Sequence, residues 1–269
     1  MVGSMGLRLG ERELERCRKK IINFISSEVE SAKASGAVVA LSGGIDSSLV
    51  ARLAGEALGN RLYALLMPEE GVSDPKDLED AVKLVKELGI GYEVIEINNV
   101  MHAFEKKIPK IKHSSKAEKV AWGNVKPRVR MIFNYLAANL SNKLVLGTGN
   151  KTELLLGYFT KYGDGGCDLL PIGDLYKTQV RQLARYVGID KKILEKVPSA
   201  RLWKGQADEQ ELGAAYEEID KILYSLVEEK LKPKQVVKKL GIQIKLVHRL
   251  KERMEKNKHK LRIPKIATL

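Results

Sequence analysis

The sequence has few cysteines and no long apolar run, and each of these features argues against a class of protein. Cys17 and Cys167 are the only cysteines among 269 residues, and they lie too far apart for a C-x-x-C redox pair or a cysteine zinc site. No stretch approaches the roughly eighteen apolar residues of a membrane-spanning helix. The first residues contain no apolar signal-peptide core. We therefore expect a cytoplasmic protein in a reducing compartment, without a membrane partner.

Two common phosphate-binding motifs are also missing. The chain has neither a G-x-x-x-x-G-K-[ST] loop nor a G-x-G-x-x-G string within a βαβ unit. This argues against GTPases, kinases and Rossmann dehydrogenases. Lysine and arginine outnumber the acids 47 to 34, for a net charge of +13. That excess suggests an anionic partner, but it leaves nucleotides, nucleic acid and a solvated basic surface all open.

Apolar runs alternate with amphipathic stretches through the first two thirds of the chain, which is typical of a parallel sheet covered by helices. The predicted strands are residues 37–41, 61–67, 91–97 and 143–148, and the predicted helices are 47–58, 76–88 and 128–140. We predict a doubly wound α/β fold with a mostly parallel five-stranded sheet and helices on both faces. A helical C-terminal extension follows. The whole chain, residues 1–269, is expected to form one domain, with a core at about 20–195 and a helical part at about 196–269.

Two long segments interrupt this alternation, residues 106–119 and 157–174. Loops of that length in a compact domain are usually functional or mobile. From Asp208 onward the chain is predicted to be helical, with Pro233 and Gly241 dividing it into three pieces. The last two pieces are rich in lysine and arginine and could be a helix-turn-helix. Their recurring apolar residues instead favour helices that pack on the body of the protein, so we expect no nucleic-acid partner.

A phosphate-binding loop is predicted between the first strand and its helix, at residues 42–48 (SGGIDSS). Gly43 and Gly44 allow close backbone approach, and the helix that follows offers unpaired N–H groups and a positive dipole end. Asp46 would repel phosphate unless a cation lies between them, so we assign it to Mg²⁺. The alternative is a serine-rich helix cap with a tight glycine turn. The position after a buried strand and before a helix favours the functional interpretation.

The string resembles the signature of the PP-loop ATP pyrophosphatases. The resemblance implies an adenine nucleotide alpha hydrolase-like fold, a loop that holds the pyrophosphate end of ATP, and adenylation of a substrate followed by displacement of AMP. The loop alone does not choose between NAD synthetases, GMP synthetases and tRNA-thiolation enzymes. Thiolation generally requires reactive cysteines, which two unpaired cysteines do not supply.

Further stretches resemble the ammonia-dependent NAD synthetases. They are residues 123–131, 146–168, 171–178, 198–200, 206–209 and 259–260. This resemblance implies ATP-dependent amidation of deamido-NAD by ammonia, through an adenylated intermediate, to give NAD, AMP and pyrophosphate in the last step of NAD biosynthesis. It also implies a homodimer, for which residues 128–140 and 209–226 are candidate contacts. The chain length leaves no room for a glutaminase domain, so we expect ammonia to arrive free or from another protein.

The resemblance implies a role for individual residues. Those matching ATP contacts are Ala40, Leu41, Ser42, Gly43, Gly44, Ile45, Asp46, Ser47, Ser48, Thr148, Lys177 and Ser199. Those matching deamido-NAD contacts are Arg128, Lys161, Asp168, His259 and Lys260, with Asp164 a weaker candidate. Asp46 and Glu153 match Mg²⁺ ligands, although Glu153 taken alone could simply stabilise a helix start. No side chain is expected to act as a catalytic nucleophile. The separate roles of Arg128 and Arg130, and adenine recognition near residues 69–77, stay unassigned.

Overall fold

The computed structural model describes residues 6–108, 115–203 and 205–267, and within them the strands form one parallel sheet. The strands are β1 (Gly36–Ala40), β2 (Leu62–Leu66), β3 (Gly91–Val94) and β4 (Lys143–Leu146). Their order across the sheet is β3-β2-β1-β4. The prediction of a parallel α/β sheet with helices around it is confirmed. Residues 109–114 of the predicted loop 106–119 lie outside the described residues.

Helices account for most of the remaining described chain. They are α1 (Glu11–Ser31), α2 (Ile45–Leu58), α3 (Pro75–Leu88), α4 (Asn98–Lys107), α5 (Lys116–Gly123), α6 (Val125–Leu140), α7 (Lys151–Leu156), α8 (Lys177–Tyr186), α9 (Lys191–Leu194), α10 (Asp208–Leu212), α11 (Tyr216–Val227), α12 (Pro233–Leu240) and α13 (Ile244–Asn257). None of the described helices is both long and apolar enough to cross a membrane.

Both faces of the sheet are covered by helices. Ala37 and Val39 of β1 belong to the apolar cluster that contains residues of α1, α2 and α8. Val38 points the other way and joins the cluster that contains residues of α4 and α6. Successive side chains of a strand alternate between its faces, so a strand covered on both faces needs apolar residues throughout. This explains why β1 appears in the sequence as an unbroken apolar run.

The sheet has four strands in the described part of the chain, and the prediction of five is wrong there. Where a fifth strand would lie beside β4, only one parallel bridge forms, between Leu146 and Leu169. The Leu169 carbonyl accepts a 2.8 Å hydrogen bond from Gly147 N–H. Pro171 follows almost at once and has no N–H to donate, so the ladder does not continue. The predicted strands 91–97 and 143–148 are also too long, because their last residues form loops.

The C-terminal helices pack on the rest of the chain through their own apolar cluster. Val236, Val247 and Leu250 are buried there with residues of α11, and Leu156 and Tyr176 belong to the same cluster. The packing interpretation of these helices is therefore confirmed by their burial. The proposed division between a core and a helical part at about residue 195 stays a prediction.

A buried aspartate joins α11 to the two helices beside it. Asp220 is fully buried. One of its oxygens accepts a 2.6 Å hydrogen bond from the Thr152 hydroxyl on α7, and the other accepts a 2.7 Å bond from Thr178 N–H on α8. Burial raises the pKa of Asp220, and these hydrogen bonds oppose the rise. The side chain therefore connects the C-terminal helices to the site described below.

We expect Asp220→Ala to lower the free energy of unfolding by about 2–4 kcal/mol, because it leaves two buried donors without an acceptor. Lys221 is exposed on the same helix and serves as the control. Lys221→Ala should change the stability by no more than about 0.5 kcal/mol. Urea unfolding followed by circular dichroism measures both. Equal stability of the two variants would show that Asp220 does not join the helices.

Candidate active site

The candidate site lies at the carboxyl edge of the sheet, where β1 and β4 are neighbours. From β1 the chain crosses to β2 and β3 on one side, whereas β4 pairs on the other side of β1. In open α/β sheets, ligands bind outside the carboxyl ends of the strands at such a switch point. The loop at residues 42–48 follows β1, and Thr148 and Glu153 follow β4. The topology thus brings the predicted ATP and metal residues to one place.

Hydroxyl groups hold the loop in a closed shape. Ser42 N–H donates to Ser47 Oγ at 3.2 Å, and the Ser42 and Ser47 hydroxyls lie 3.0 Å apart. Ser47 Oγ also donates to the Gly44 carbonyl at 3.1 Å. Gly44 is the N-cap of α2 and has no side chain with which to cap it. The loop therefore presents N–H groups at a helix start, which suits phosphate oxygens.

Gly43 can only be glycine at this point in the loop. Its φ of +75° is in the left-handed region, and an added Cβ would lie 2.2 Å from the Asp77 carbonyl oxygen of α3. Lys196 donates to the Gly43 carbonyl at 3.1 Å and pairs with the Asp77 carboxylate at 2.8 Å. Arg201 pairs with the same carboxylate. The loop, α3 and the segment around residue 200 are thus held together by charge.

Three charged side chains meet at the loop, and one of them, Asp46, belongs to the loop itself. Lys177 Nζ lies 2.5 Å from Asp46 Oδ2 and 3.7 Å from Glu153 Oε1. Asn150 donates to the other oxygen of Asp46 at 2.9 Å. Burial, followed by the charge of Asp46, raises the pKa of Glu153 to about 8. Burial alone would lower the pKa of Lys177, but the charges of Asp46 and Glu153 outweigh it and raise that pKa. These charges favour an additional cation.

Glu153 stabilises the start of its own helix, as one interpretation of its sequence position suggested, and its metal role stays a prediction. It is the third residue of α7, and its Oε2 accepts a 3.2 Å hydrogen bond from Asn150 N–H, while Asn150 caps the helix in return. Its other oxygen faces Lys177. A capping role leaves this second oxygen available for a metal ion, so the two roles are compatible.

A cavity of about 540 Å³ opens beside the loop. The residues of the predicted ATP and deamido-NAD sets that line it are Ala40, Leu41, Ser42, Gly44, Thr148, Ser199 and Lys260, together with the weaker candidate Asp164. The other members of the predicted ATP and metal sets are not among the lining residues; they are Gly43, Ile45, Asp46, Ser47, Ser48, Glu153 and Lys177. The Ser48 hydroxyl is buried and has no hydrogen-bond partner among the described residues.

Four of the predicted deamido-NAD residues are linked to one another or to the same loop. Arg128 is exposed and donates to the Lys161 carbonyl at 3.3 Å, and Lys161 Nζ donates to the His259 carbonyl at 3.1 Å. Lys260 donates to the Gly157 and Phe159 carbonyls at 2.6 and 2.9 Å. Together they connect α6, the loop after α7 and the chain after α13.

Asp168, the fifth predicted deamido-NAD residue, holds the end of β4. Its oxygens accept hydrogen bonds from Val145 N–H at 2.7 Å and from the Tyr135 hydroxyl at 2.9 Å. It is not among the residues that line the cavity, although the neighbouring Cys167 is. The structure therefore gives Asp168 a fold contact that its place in the motif did not indicate.

Sequence reasoning missed Arg201 and Arg253 of the cavity wall and left the role of Arg130 unassigned. Arg201 and Arg253 line it from segments far apart in the chain, and Arg130 lines it from α6. Arg253 stacks on Tyr158, with its guanidinium carbon 5.3 Å from the ring centre. No local motif marks Arg201 or Arg253, because only the folded chain brings them to the strand ends. Arg130 did carry a signal, since it lies two residues from Arg128.

Comparisons with known proteins agree with this geometry. A family model described as NAD synthase matches residues 17–264. The NH(3)-dependent NAD(+) synthetase of Archaeoglobus fulgidus is 46% identical over 254 residues, which are 94% of this chain and 96% of that protein. The counterpart from Methanosarcina acetivorans is 45% identical over 258 residues, 96% of this chain and 99% of that protein.

Two solved structures extend the comparison. An NMN synthetase from Francisella tularensis has a TM-score of 0.81 at 33% identity and covers 95% of this chain and 99% of its own. An NH3-dependent NAD synthetase from Campylobacter jejuni has a TM-score of 0.78 at 35% identity, with the same coverage. With a family model that matches nearly the whole chain and relatives this similar in sequence and fold, the chain belongs to the NAD synthase family.

Proposed function

We propose that this protein is a ligase that amidates deamido-NAD with ammonia at the expense of ATP. One observation carries the proposal: Ser42 of the phosphate loop and Lys260, a predicted deamido-NAD residue, line the same cavity. Both substrates can therefore meet at the carboxyl ends of β1 and β4. Family membership supports the reaction, the last step of NAD biosynthesis, with ATP as co-substrate.

The chemistry explains why ATP is needed. The carboxylate of the nicotinate ring is a poor electrophile, because it is anionic and has no good leaving group. Its oxygen attacks the α-phosphorus of ATP and pyrophosphate leaves, which gives a neutral acyl group bonded to AMP. Ammonia then attacks the acyl carbon, AMP leaves with the bonding electron pair, and the loss of a proton from nitrogen gives the amide. The phosphate loop stabilises charge on the departing pyrophosphate with its N–H groups.

Asp46 and Glu153 are the residues that would hold Mg²⁺. Two partly buried carboxylates, one with its pKa raised to about 8 beside the other, form a donor set that favours a hard cation. The described residues contain no cluster of three or more His, Cys, Asp or Glu for a metal ion, so phosphate oxygens and water would complete the coordination. When bound, the ion supplies charge neutralisation at the leaving pyrophosphate. Lys177 compensates the same two carboxylates in this structure.

We propose a homodimer formed through α6. Ile132, Leu136 and Leu140 are 58%, 52% and 81% exposed, and their spacing places them on one stripe of the helix. The other candidate contact, residues 209–226, is less suitable than its sequence suggested. The apolar residues of α11, such as Ile219 and Leu223, are buried inside the chain's own cluster. The cytoplasmic location and the absence of a nucleic-acid partner stay predictions.

The reaction itself is the first test. Purified protein with ATP, Mg²⁺, deamido-NAD and ammonium should form NAD, AMP and pyrophosphate in equal amounts, because each amidation consumes one ATP. Glutamine in place of ammonium should be a far poorer nitrogen donor. Chromatography of the nucleotides measures all three products. A protein that hydrolyses ATP but forms no NAD would contradict the proposed substrate.

Replacing Asp46 and Glu153 tests the proposed metal site. Asp46→Asn and Glu153→Gln should each lower turnover at least about a hundredfold, since each removes charge that stabilises the bound ion during pyrophosphate departure. Both variants should stay folded, because Lys177 keeps one carboxylate partner. Glu195→Gln removes an exposed acid from the end of α9 and should leave AMP release unchanged. Turnover close to that of this control would refute the metal role of the altered residue.

Replacement and alkylation of Cys167 test the prediction that the reaction uses no catalytic thiol. Burial, followed by the charge of Asp168, raises its pKa to about 11, so the neutral thiol persists at pH 8. The thiolate fraction is then roughly a hundredfold below that of an ordinary cysteine. Cys167→Ala should therefore keep most of its turnover. Cys167 of the native protein should react slowly with iodoacetamide, and guanidinium-unfolded protein is the control. Rapid native alkylation, or loss of turnover in a folded variant, would point to a reactive thiol.

A further inference from the structure

Two arginines of α6 lie two residues apart but occupy different environments. Residues at this spacing point about 200° apart around a helix. Arg128, which matches a deamido-NAD contact, is exposed and donates to the Lys161 carbonyl outside the cavity. Arg130 is half-buried and lines the cavity. The structure thus separates two residues that the sequence left equivalent.

Arg130 is a cation without a counter-ion among the described residues. Its Nε donates to the Met67 carbonyl at 3.0 Å, directly after β2, which fixes the side chain at the strand ends. The nearby carboxylate of Glu69 is paired with Lys126 at 2.8 Å instead. Burial lowers the pKa of Arg130, and the charges of Glu69 and Asp164 offset this only in part. A guanidinium stays protonated in such a place and therefore favours an anionic ligand.

Three of the other cations of the cavity wall have contacts with a carboxylate or an aromatic ring that Arg130 lacks among the described residues. Arg201 has a carboxylate partner in Asp77. Arg253 and Lys260 donate to backbone carbonyls and lie over the Tyr158 and Phe159 rings. Those contacts place them on the wall formed by α13 and the loop after α7. Arg130 lies beside the end of β2, the strand next to the one that leads into Ser42.

We propose that Arg130 binds the carboxylate of the nicotinate ring and thereby distinguishes the acid substrate from the amide product. The inference rests on the proposed function. The loop at residues 42–48 already provides a site for the phosphates of ATP, whereas the reacting carboxylate has no assigned partner. A guanidinium and a carboxylate form two parallel hydrogen bonds. The carboxamide of NAD carries no charge and one fewer acceptor oxygen, so it loses this interaction and the product is released more easily.

Equilibrium binding tests the assignment. The affinities for deamido-NAD, NAD and ATP are measured by titration calorimetry for the wild type, Arg130→Gln, Arg130→Lys and Arg185→Gln. Arg130→Gln should weaken the binding of deamido-NAD at least about tenfold, which is the scale of one lost charge-assisted hydrogen bond. The affinity for NAD should change little. Arg130→Lys keeps the charge but not the planar fork and should give an intermediate value. Arg185 is exposed on α8, so Arg185→Gln controls for the loss of one positive charge.

The ratio of the two dinucleotide affinities decides the outcome. An equal loss of affinity for deamido-NAD and NAD would show that Arg130 binds their shared phosphates. A loss of affinity confined to ATP would show that it binds the triphosphate of ATP. Either result overturns the proposal. An unchanged ratio overturns it as well. If Arg130→Gln does not fold without its bond to Met67, the ratio for Arg130→Lys decides. A wild type that binds neither dinucleotide would instead overturn the proposed function.

Discussion

The ion pair between Lys177 and Asp46, with Glu153 beside it, is the interaction on which the rest of the site depends. The three residues lie in the first turns of α8, α2 and α7, so three helix starts converge where β1 and β4 end. Loss of Lys177 would leave two partly buried carboxylates without their counter-charge, which is costly. The helices must therefore keep their relative positions whenever the protein is folded, and this requirement also orients the phosphate loop.

A second layer of hydrogen bonds holds the charged group in place. Lys177 N–H donates to the Thr152 hydroxyl at 2.9 Å, and that hydroxyl donates in turn to Asp220 on α11. The C-terminal helices thus reach the charged group of Lys177, Asp46 and Glu153 through one buried carboxylate, Asp220. This contact adds to the apolar packing on the body of the protein that the sequence favoured for these helices.

The sequence predicted the parts of the structure that local rules determine. The position of the loop at residues 42–48 was predicted from a buried strand, two glycines and a helix start. The position of Glu153 at the same edge of the sheet was predicted from its place after β4. The prediction of a fifth strand was wrong because a strand depends on its partner. Pro171 limits the pairing beside β4 to a single bridge. The dimer contact proposed for α11 stays a prediction, but its apolar residues are buried in the chain's own cluster. An apolar stripe shows that a helix is buried, but it does not show whether its own chain or a second copy covers it.

Several residues of the cavity wall hold the fold as well as face the cavity, which the motifs did not indicate. Arg130 donates to the backbone after β2, and Lys260 donates to two carbonyls of the loop after α7. Side chains fixed in this way lose little conformational freedom when a ligand arrives, so more of their interaction energy becomes affinity. Contacts within the folded chain thus prepare these side chains for a ligand before it binds.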